Sequence, residues 1–213
     1  MTLQNRVTPW GEIVTTPERG AWLGNRGGCL HDAEKRLGKR RWVNEHWLIC
    51  LLEFKGRWRE VMAPRKYTEL FFLDEATALA AGHRPCVECR RADAYRFRDA
   101  WAAANVALDL GPTPSFPAID HVLHRDRVGE DRTKRVFPAE WRALPDGVIV
   151  LAPPPVLGAC LVWKEQLRPW TFGGYGSALQ GVEEPVLSVL TPRSTVEALR
   201  AGYEPQVHPS ADA

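Results

Sequence analysis

A Cys-x-x-Cys pair placed directly after a glycine-terminated helix is the feature that most restricts the fold of this chain. In the stretch LDEATALAAGHRPCVECRR, Asp74 is a suitable N-cap for a short helix, and Gly82 can adopt the left-handed conformation that ends it. Pro85 prevents the helix from continuing, so Cys86 and Cys89 lie in the following turn. Two residues between two thiolates let both sulfurs reach one ion, and zinc commonly takes such ligands in a tetrahedral site. We therefore predict that Cys86 and Cys89 bind Zn²⁺.

A redox-active pair and two unrelated thiols are the alternatives to a metal site. A thioredoxin-like pair opens a helix after a strand of a βαβ unit, whereas this pair follows a helix end. The chain contains five cysteines, and an odd number argues against a disulfide framework. These observations favour metal binding.

The further ligands of a zinc site have to come from upstream residues. Cys29 and His31 are two residues apart, so in an extended strand their side chains point to the same face. Cys50 lies in the apolar segment WLICLLEF, where the alternative interpretation is a buried core cysteine. All three residues are candidate ligands, and His46 and His83 are further nitrogen candidates.

Residues 68–92 resemble the zinc-binding domain at the N-terminus of the bacterial adaptive-response methylphosphotriester DNA repair protein, and the related zinc modules appended to nucleases. The shared features are the Phe71-Phe72 pair, an acidic helix start, the ALAAG motif and RPC followed by a second cysteine. That family completes its site with a Cys-x-x-x-Cys or His-x-x-x-Cys pair shortly before the aromatic pair. No such pair stands just before Phe71, so the resemblance implies either Cys29 with His31 or, keeping the order His-then-Cys, His31 with Cys50. We adopt the second choice, which gives the predicted ligand set His31, Cys50, Cys86 and Cys89.

The resemblance also implies a function directed to DNA, in repair or processing. In the repair protein a zinc-bound thiolate accepts a methyl group from a phosphotriester. Because the upstream ligands depart from the family pattern, we expect a structural zinc that closes a small fold.

The positive charge of the chain is concentrated in its first half. Residues 1–107 carry 18 Lys and Arg against 13 Asp and Glu, whereas the remaining residues carry 10 against 13. Arginines bind phosphate through two parallel hydrogen bonds, and the tryptophans among them can stack on bases. The alternative is an ordinary solvated surface, since acidic residues are interspersed. The predicted nucleic-acid contacts are Arg40, Arg41, Arg84, Arg90 and Arg91.

A second group of polar residues suggests catalysis in the segment AIDHVLHRDR. On a helix Asp120, His124 and Arg127 share one face, and a carboxylate that orients an imidazole is a general-base arrangement. This pattern predicts a catalytic group of a hydrolase or repair enzyme. The alternative is an exposed amphipathic helix with an Asp–His ion pair.

The pattern of elements predicts an α+β protein. We expect a zinc module at residues 1–108 with a small antiparallel sheet and helices, including a hairpin with Lys55-Gly56 near its tip and Arg57–Tyr67 as its second arm. The apolar stripe Ala94, Phe97 and Trp101 marks the best helix. The Pro-rich residues 109–117 form the predicted linker, and residues 118–213 form a second, mixed α/β part.

Three functions follow as hypotheses. The first is a zinc-containing protein directed to nucleic acid, with DNA as the expected partner. The alternatives are a zinc-stabilised enzyme acting on a small anionic metabolite and a non-catalytic, zinc-stabilised interaction protein. No apolar run is long enough to span a bilayer, and the N-terminal sequence lacks a signal-peptide pattern, so we expect no membrane partner and a cytoplasmic location.

Overall fold

The structure, a computed structural model, describes residues 2–57, 60–152, 156 and 158–213. That part of the chain forms four α-helices and two six-stranded sheets, as expected for an α+β protein. The helices are α1 (Glu75–Ala80), α2 (Arg91–Ala104), α3 (Phe116–Arg127) and α4 (Arg193–Arg200). The first sheet contains β1 (Gln4–Val7), β2 (Ile13–Thr15), β3 (Trp22–Asn25), β4 (Leu48–Cys50), β5 (Leu70–Phe72) and β6 (Arg84–Pro85). The second contains β7 (Phe137–Glu140), β8 (Ile149–Leu151), β9 (Ala159–Trp163), β10 (Gln166–Thr171), β11 (Gly174–Tyr175) and β12 (Val186–Val189).

The first sheet is mixed, so the prediction of an antiparallel sheet is wrong for two of its strand pairs. Its order is β2-β1-β5-β3-β4-β6, and β1 with β5 and β4 with β6 are parallel. Parallel neighbours need a long crossover, and the chain between β4 and β6 supplies one that includes β5 and α1. The predicted hairpin is also not formed as expected: β4 ends at Cys50 and residues 51–57 form no strand. Trp58 and Arg59 of its second arm lie outside the described residues.

Helix α1 begins and ends as its sequence predicts. The Asp74 carboxylate accepts a hydrogen bond from the Thr77 backbone N–H at 2.8 Å. Gly82 follows the helix with φ +90°, a conformation that residues with a Cβ atom rarely adopt. A Cβ atom there would lie 2.4 Å from Cδ of Arg127, so a glycine is needed for both the turn and the packing of this arginine.

The predicted apolar stripe of α2 is confirmed. Its buried residues are Ala94, Phe97 and Trp101, and they face the C-terminal helix α4 and its surroundings. The Phe97 ring meets the Tyr203 ring edge to face, with centroids 5.2 Å apart. Helices from the first and second halves of the chain therefore share one interface.

The two halves of the chain also share a core. One buried apolar cluster includes Phe72 from the first half and Val150 from the second, and α1 contacts both β5 and β8. Helix α3 begins at Phe116, inside the predicted linker 109–117, because Ser115 caps it and Pro117 fits a first helical turn. The second sheet is antiparallel in every pair described. The division into folding units at residues 1–108 and 118–213 stays a prediction.

Candidate functional site

Parallel pairing of β4 with β6 brings three cysteines together. Ile49 lies opposite Pro85, and its carbonyl oxygen accepts a hydrogen bond from the Cys86 N–H at 2.9 Å. Cys50 is the last residue of β4, and Cys86 follows β6 directly. The turn through Cys89 leads into α2, with the Arg90 N–H donating to the Cys86 carbonyl at 2.9 Å. Backbone hydrogen bonds thus fix two of the chain segments that carry the sulfurs.

The three sulfurs have a spacing that suits one metal ion. The Sγ atoms of Cys50, Cys86 and Cys89 all lie within 4.8 Å of one another, and all three cysteines are free. In a tetrahedral zinc site with Zn–S bonds of about 2.3 Å, two sulfurs lie about 3.8 Å apart. Small adjustments of the side chains would therefore place the three sulfurs around one zinc ion.

Hydrogen bonding within the cluster favours a thiolate at Cys86. Hydrogen bonds from the Cys50 and Cys89 thiols lower the pKa of Cys86, and the Glu88 N–H also lies 3.4 Å from its sulfur. The hydrogen bond with Cys86 is the largest cause of a strongly raised pKa at Cys50. Metal ligands of this type bind as thiolates, so a zinc ion would replace the protons that the thiols share.

Cys50 and Cys89 also border open space. Cys86 is buried, while Cys50 and Cys89 are half-buried and line a cavity of about 570 Å³. Glu53 and Arg57 lie in the wall of the same cavity. Three protein ligands leave one position of a tetrahedral zinc ion for water or another molecule.

The structure does not bring His31 to the three sulfurs. The His31 Nδ1 atom lies 2.6 Å from the Thr68 hydroxyl, and Nε2 lies 3.2 Å from the Ala63 carbonyl oxygen. Cys29, the other candidate, lies beside His31 with its sulfur 3.7 Å from Nδ1. The structure therefore does not group His31 or Cys29, which lie in the long connection between β3 and β4, with the three sulfurs, and the fourth ligand stays a prediction.

His46 and Cys50 have the His-x-x-x-Cys spacing of the appended zinc modules, and Cys50 is the last residue of β4. The structure does not group His46 with the three sulfurs. The His46 Nδ1 atom instead lies 2.6 Å from the Asp120 carboxylate. That contact joins residues 74 positions apart, and no sequence signal predicts it.

The predicted catalytic residues lie on one face of α3, but Asp120 and His124 do not form the expected hydrogen bond. Asp120 is fully buried and accepts two hydrogen bonds of 2.7 Å from the Arg84 guanidinium. His124 contacts Arg127 rather than Asp120, with Nδ1 3.0 Å from Nη2. Burial and, next, the charge of Arg127 lower the pKa of His124. Asp120 therefore pairs with Arg84 of β6 and with His46, which precedes β4, and a catalytic role for the α3 residues stays a prediction.

The predicted nucleic-acid contacts divide into buried and exposed residues. Arg84 is buried with Asp120, and Arg90 is buried in ion pairs with Glu75 and Asp93. Their guanidinium groups are engaged inside the protein, and a contact of these two arginines with nucleic acid stays a prediction. The remaining three predicted contacts are exposed: Arg40, Arg41 and Arg91.

Among the described residues, the structure contains no helix with the length and apolar character needed to cross a membrane. Comparison with protein-family models, with curated proteins and with solved structures finds no match to this chain.

Proposed function

We propose that this protein binds a zinc ion through Cys50, Cys86 and Cys89 and acts on nucleic acid. The clustering of these three sulfurs within 4.8 Å is the observation that carries the metal assignment. Thiolates are soft ligands that select zinc over magnesium or calcium. An ion at this position would tie the end of β4 to the junction of β6 and α2.

The nucleic-acid part of the proposal has separate support. Residues 68–92 resemble zinc modules of DNA repair and processing proteins, and exposed arginines remain on the same half of the chain. Arg91 lies over the Tyr95 ring at 5.0 Å, so this arginine presents a planar cation beside an aromatic face. Such pairs are common on surfaces that bind phosphates and bases.

Elemental analysis of purified protein tests the metal assignment. We expect about one zinc per chain in the wild type, and at least a severalfold loss in Cys50→Ser, Cys86→Ser or Cys89→Ser. Cys29→Ser is the matched control, since its sulfur lies beside His31 outside the cluster, and we expect it to keep its zinc. Zinc-free wild-type protein, or a loss confined to Cys29→Ser, would contradict the assignment.

Fluorescence anisotropy with labelled single-stranded and duplex DNA tests whether the protein binds nucleic acid. Binding through phosphates weakens as salt rises, roughly in proportion to the number of phosphates neutralised. We expect the protein to bind DNA at low salt. Its affinity for DNA should fall as the salt concentration rises from about 50 to 200 mM. Absence of binding to both DNAs at low salt would contradict the proposed action on nucleic acid and leave the zinc assignment unaffected.

A further inference from the structure

A cavity beside the C-terminal end of α1 is lined by an excess of positive charge. Its volume is about 660 Å³, within the range of roughly 300 to 1,000 Å³ that is common for small-molecule sites. Three tryptophans contribute to its wall: Trp10, Trp42 and Trp47. The charged residues in the lining are Arg26, Arg41, Arg127, Arg132, Lys134 and Glu12.

The inner cations of this cavity have only neutral hydrogen-bond partners. Arg26 is 1% exposed and donates to the His83 ring and the Gly11 carbonyl, at 3.2 and 2.9 Å. Arg127 is 2% exposed and donates at 2.7 Å to the carbonyls of residues 82 and 45. Lys134 is half-buried and donates to a backbone carbonyl of α1. In the part of the chain that the structure describes, none of these three forms an ion pair, unlike the buried Arg84 and Arg90.

Three adjacent cations without a direct ion pair make this cavity suited to an anion, although the carboxylates of Asp120 and Glu45 offset part of the effect of burial on Arg127. Burial, followed by repulsion from Arg127 and Arg41, lowers the pKa of Arg26 to about 9. Burial, followed by repulsion from Arg127 and Arg26, lowers the pKa of Lys134 to about 7. The Nε atom of Arg127 is buried without a hydrogen-bond acceptor among the described residues. A bound anion would both neutralise this charge and supply the missing acceptor.

The lining also indicates the kind of anion. The guanidinium groups of Arg26 and Arg127 each lie 4.0 Å from the Trp47 ring centroid, so this ring holds them in place. Trp10 and Trp42 are half-buried and remain at the wall of a cavity much larger than an inorganic anion requires. Arginine forks match phosphate oxygens, and indole faces stack on bases.

We propose that this cavity binds a nucleotide, with its phosphate at Arg26, Arg127 and Lys134 and its base against Trp10 or Trp42. The inference deepens the proposed action on nucleic acid, because it gives that function a binding pocket. The nucleotide could be free or part of a single strand, since both present the same phosphate and base.

Isothermal titration with three probes tests this proposal: AMP, adenosine and a single-stranded dT10 oligonucleotide. The variant is Lys134→Gln, because Lys134 is half-buried and its loss leaves the two core arginines in place. The matched control is Arg135→Gln, which removes one positive charge from the adjacent, exposed position outside the lining. Circular dichroism and zinc content establish that both variants keep the wild-type fold and metal.

We expect AMP to bind more tightly than adenosine, and Lys134→Gln to weaken AMP binding about tenfold or more, with little change in Arg135→Gln. Competition between dT10 and AMP would support both the pocket and the action on nucleic acid. AMP binding without binding of dT10, or of the duplex used above, would support the pocket and overturn the nucleic-acid function. Binding of dT10 that is insensitive to AMP and to Lys134→Gln would overturn the pocket alone. Equal affinity for AMP and adenosine would also overturn it.

Discussion

At the scale of single residues, two glycines in similar positions have different surroundings. Gly82 follows α1 with φ +90°, and Gly202 follows α4 with φ +95°. A Cβ atom at Gly82 would collide with Arg127, whereas one at Gly202 would have no heavy atom within 4 Å. Backbone conformation explains both glycines, but packing against Arg127 applies only to the first.

This difference predicts unequal effects of alanine at the two positions. We expect Gly202→Ala to lower the free energy of unfolding by about 1 kcal/mol, from the positive φ alone. Gly82→Ala should cost roughly 1 to 3 kcal/mol more, because Arg127 has to shift within a packed site. Urea unfolding of both variants measures the difference. Equal losses would show that the Arg127 contact contributes nothing to the role of Gly82.

At the scale of elements, the start of α1 ties the N-terminal half to the C-terminal segment. The Asp74 carboxylate accepts hydrogen bonds from the Tyr175 hydroxyl at 2.7 Å and the His208 N–H at 3.0 Å. The Glu75 carboxylate forms an ion pair with Arg90 and accepts a hydrogen bond from the Tyr203 hydroxyl at 2.6 Å. A six-residue helix is too short to be stable alone, so these contacts maintain it.

Removing the Glu75 charge should therefore destabilise the protein strongly. We expect Glu75→Gln to lower the free energy of unfolding by about 3 kcal/mol, because Arg90 would keep a buried and poorly compensated charge. Glu197→Gln removes an exposed pair with Arg200 on α4 and should cost under about 0.5 kcal/mol. Chemical denaturation at neutral pH compares the two. A loss below about 1 kcal/mol in Glu75→Gln would mean that the buried pair contributes little.

At the scale of the whole molecule, local features were predictable and long-range pairings were not. The cap at Asp74, the stop at Gly82 and the buried stripe of α2 follow from residue type and helical period alone. The grouping of Cys50 with Cys86 depends on a parallel strand pair whose residues are 36 positions apart, such as Ile49 and Pro85. Parallel strands are joined by long crossovers, so no short turn motif in the sequence marks the pair. The hydrophobic pattern of a strand also does not identify which other strand it pairs with.

The same limit applies to the surroundings of the charged residues. Arg84 and Arg90 follow a basic, loop-like pattern in the sequence, yet both are buried against carboxylates supplied by helices elsewhere in the chain. Arg26 and Lys134 are ordinary in sequence but meet in one cavity, because residues near the ends of β3 and α3 converge beside α1. Tertiary packing therefore determines which arginines form an ion pair with a carboxylate.

The unpaired cations of the cavity should leave a pH-dependent signature in the stability of the whole protein. Lys134 has a pKa of about 7 in the folded protein, against 10.5 for an unperturbed lysine. Between these values the unfolded chain binds the proton more strongly, so the contribution of Lys134 to stability rises as pH increases from 7 toward 10.5. The charged groups that face it are Arg26, Arg127, Arg41, Arg132 and Glu12.

Comparison with Lys134→Met isolates this contribution from that of the other titrating groups. At pH 7 and below, in buffer without phosphate, we expect Lys134→Met to be more stable than the wild type by on the order of 1 kcal/mol. This advantage should shrink steadily toward pH 10, as the wild-type lysine loses its proton. Added AMP at a concentration well above its Kd should reverse the order at pH 7, because it stabilises the tighter-binding wild type more than the variant. Urea unfolding across this pH range measures the effect, and a stability difference that is constant with pH would contradict the burial of an unpaired ammonium in this cavity.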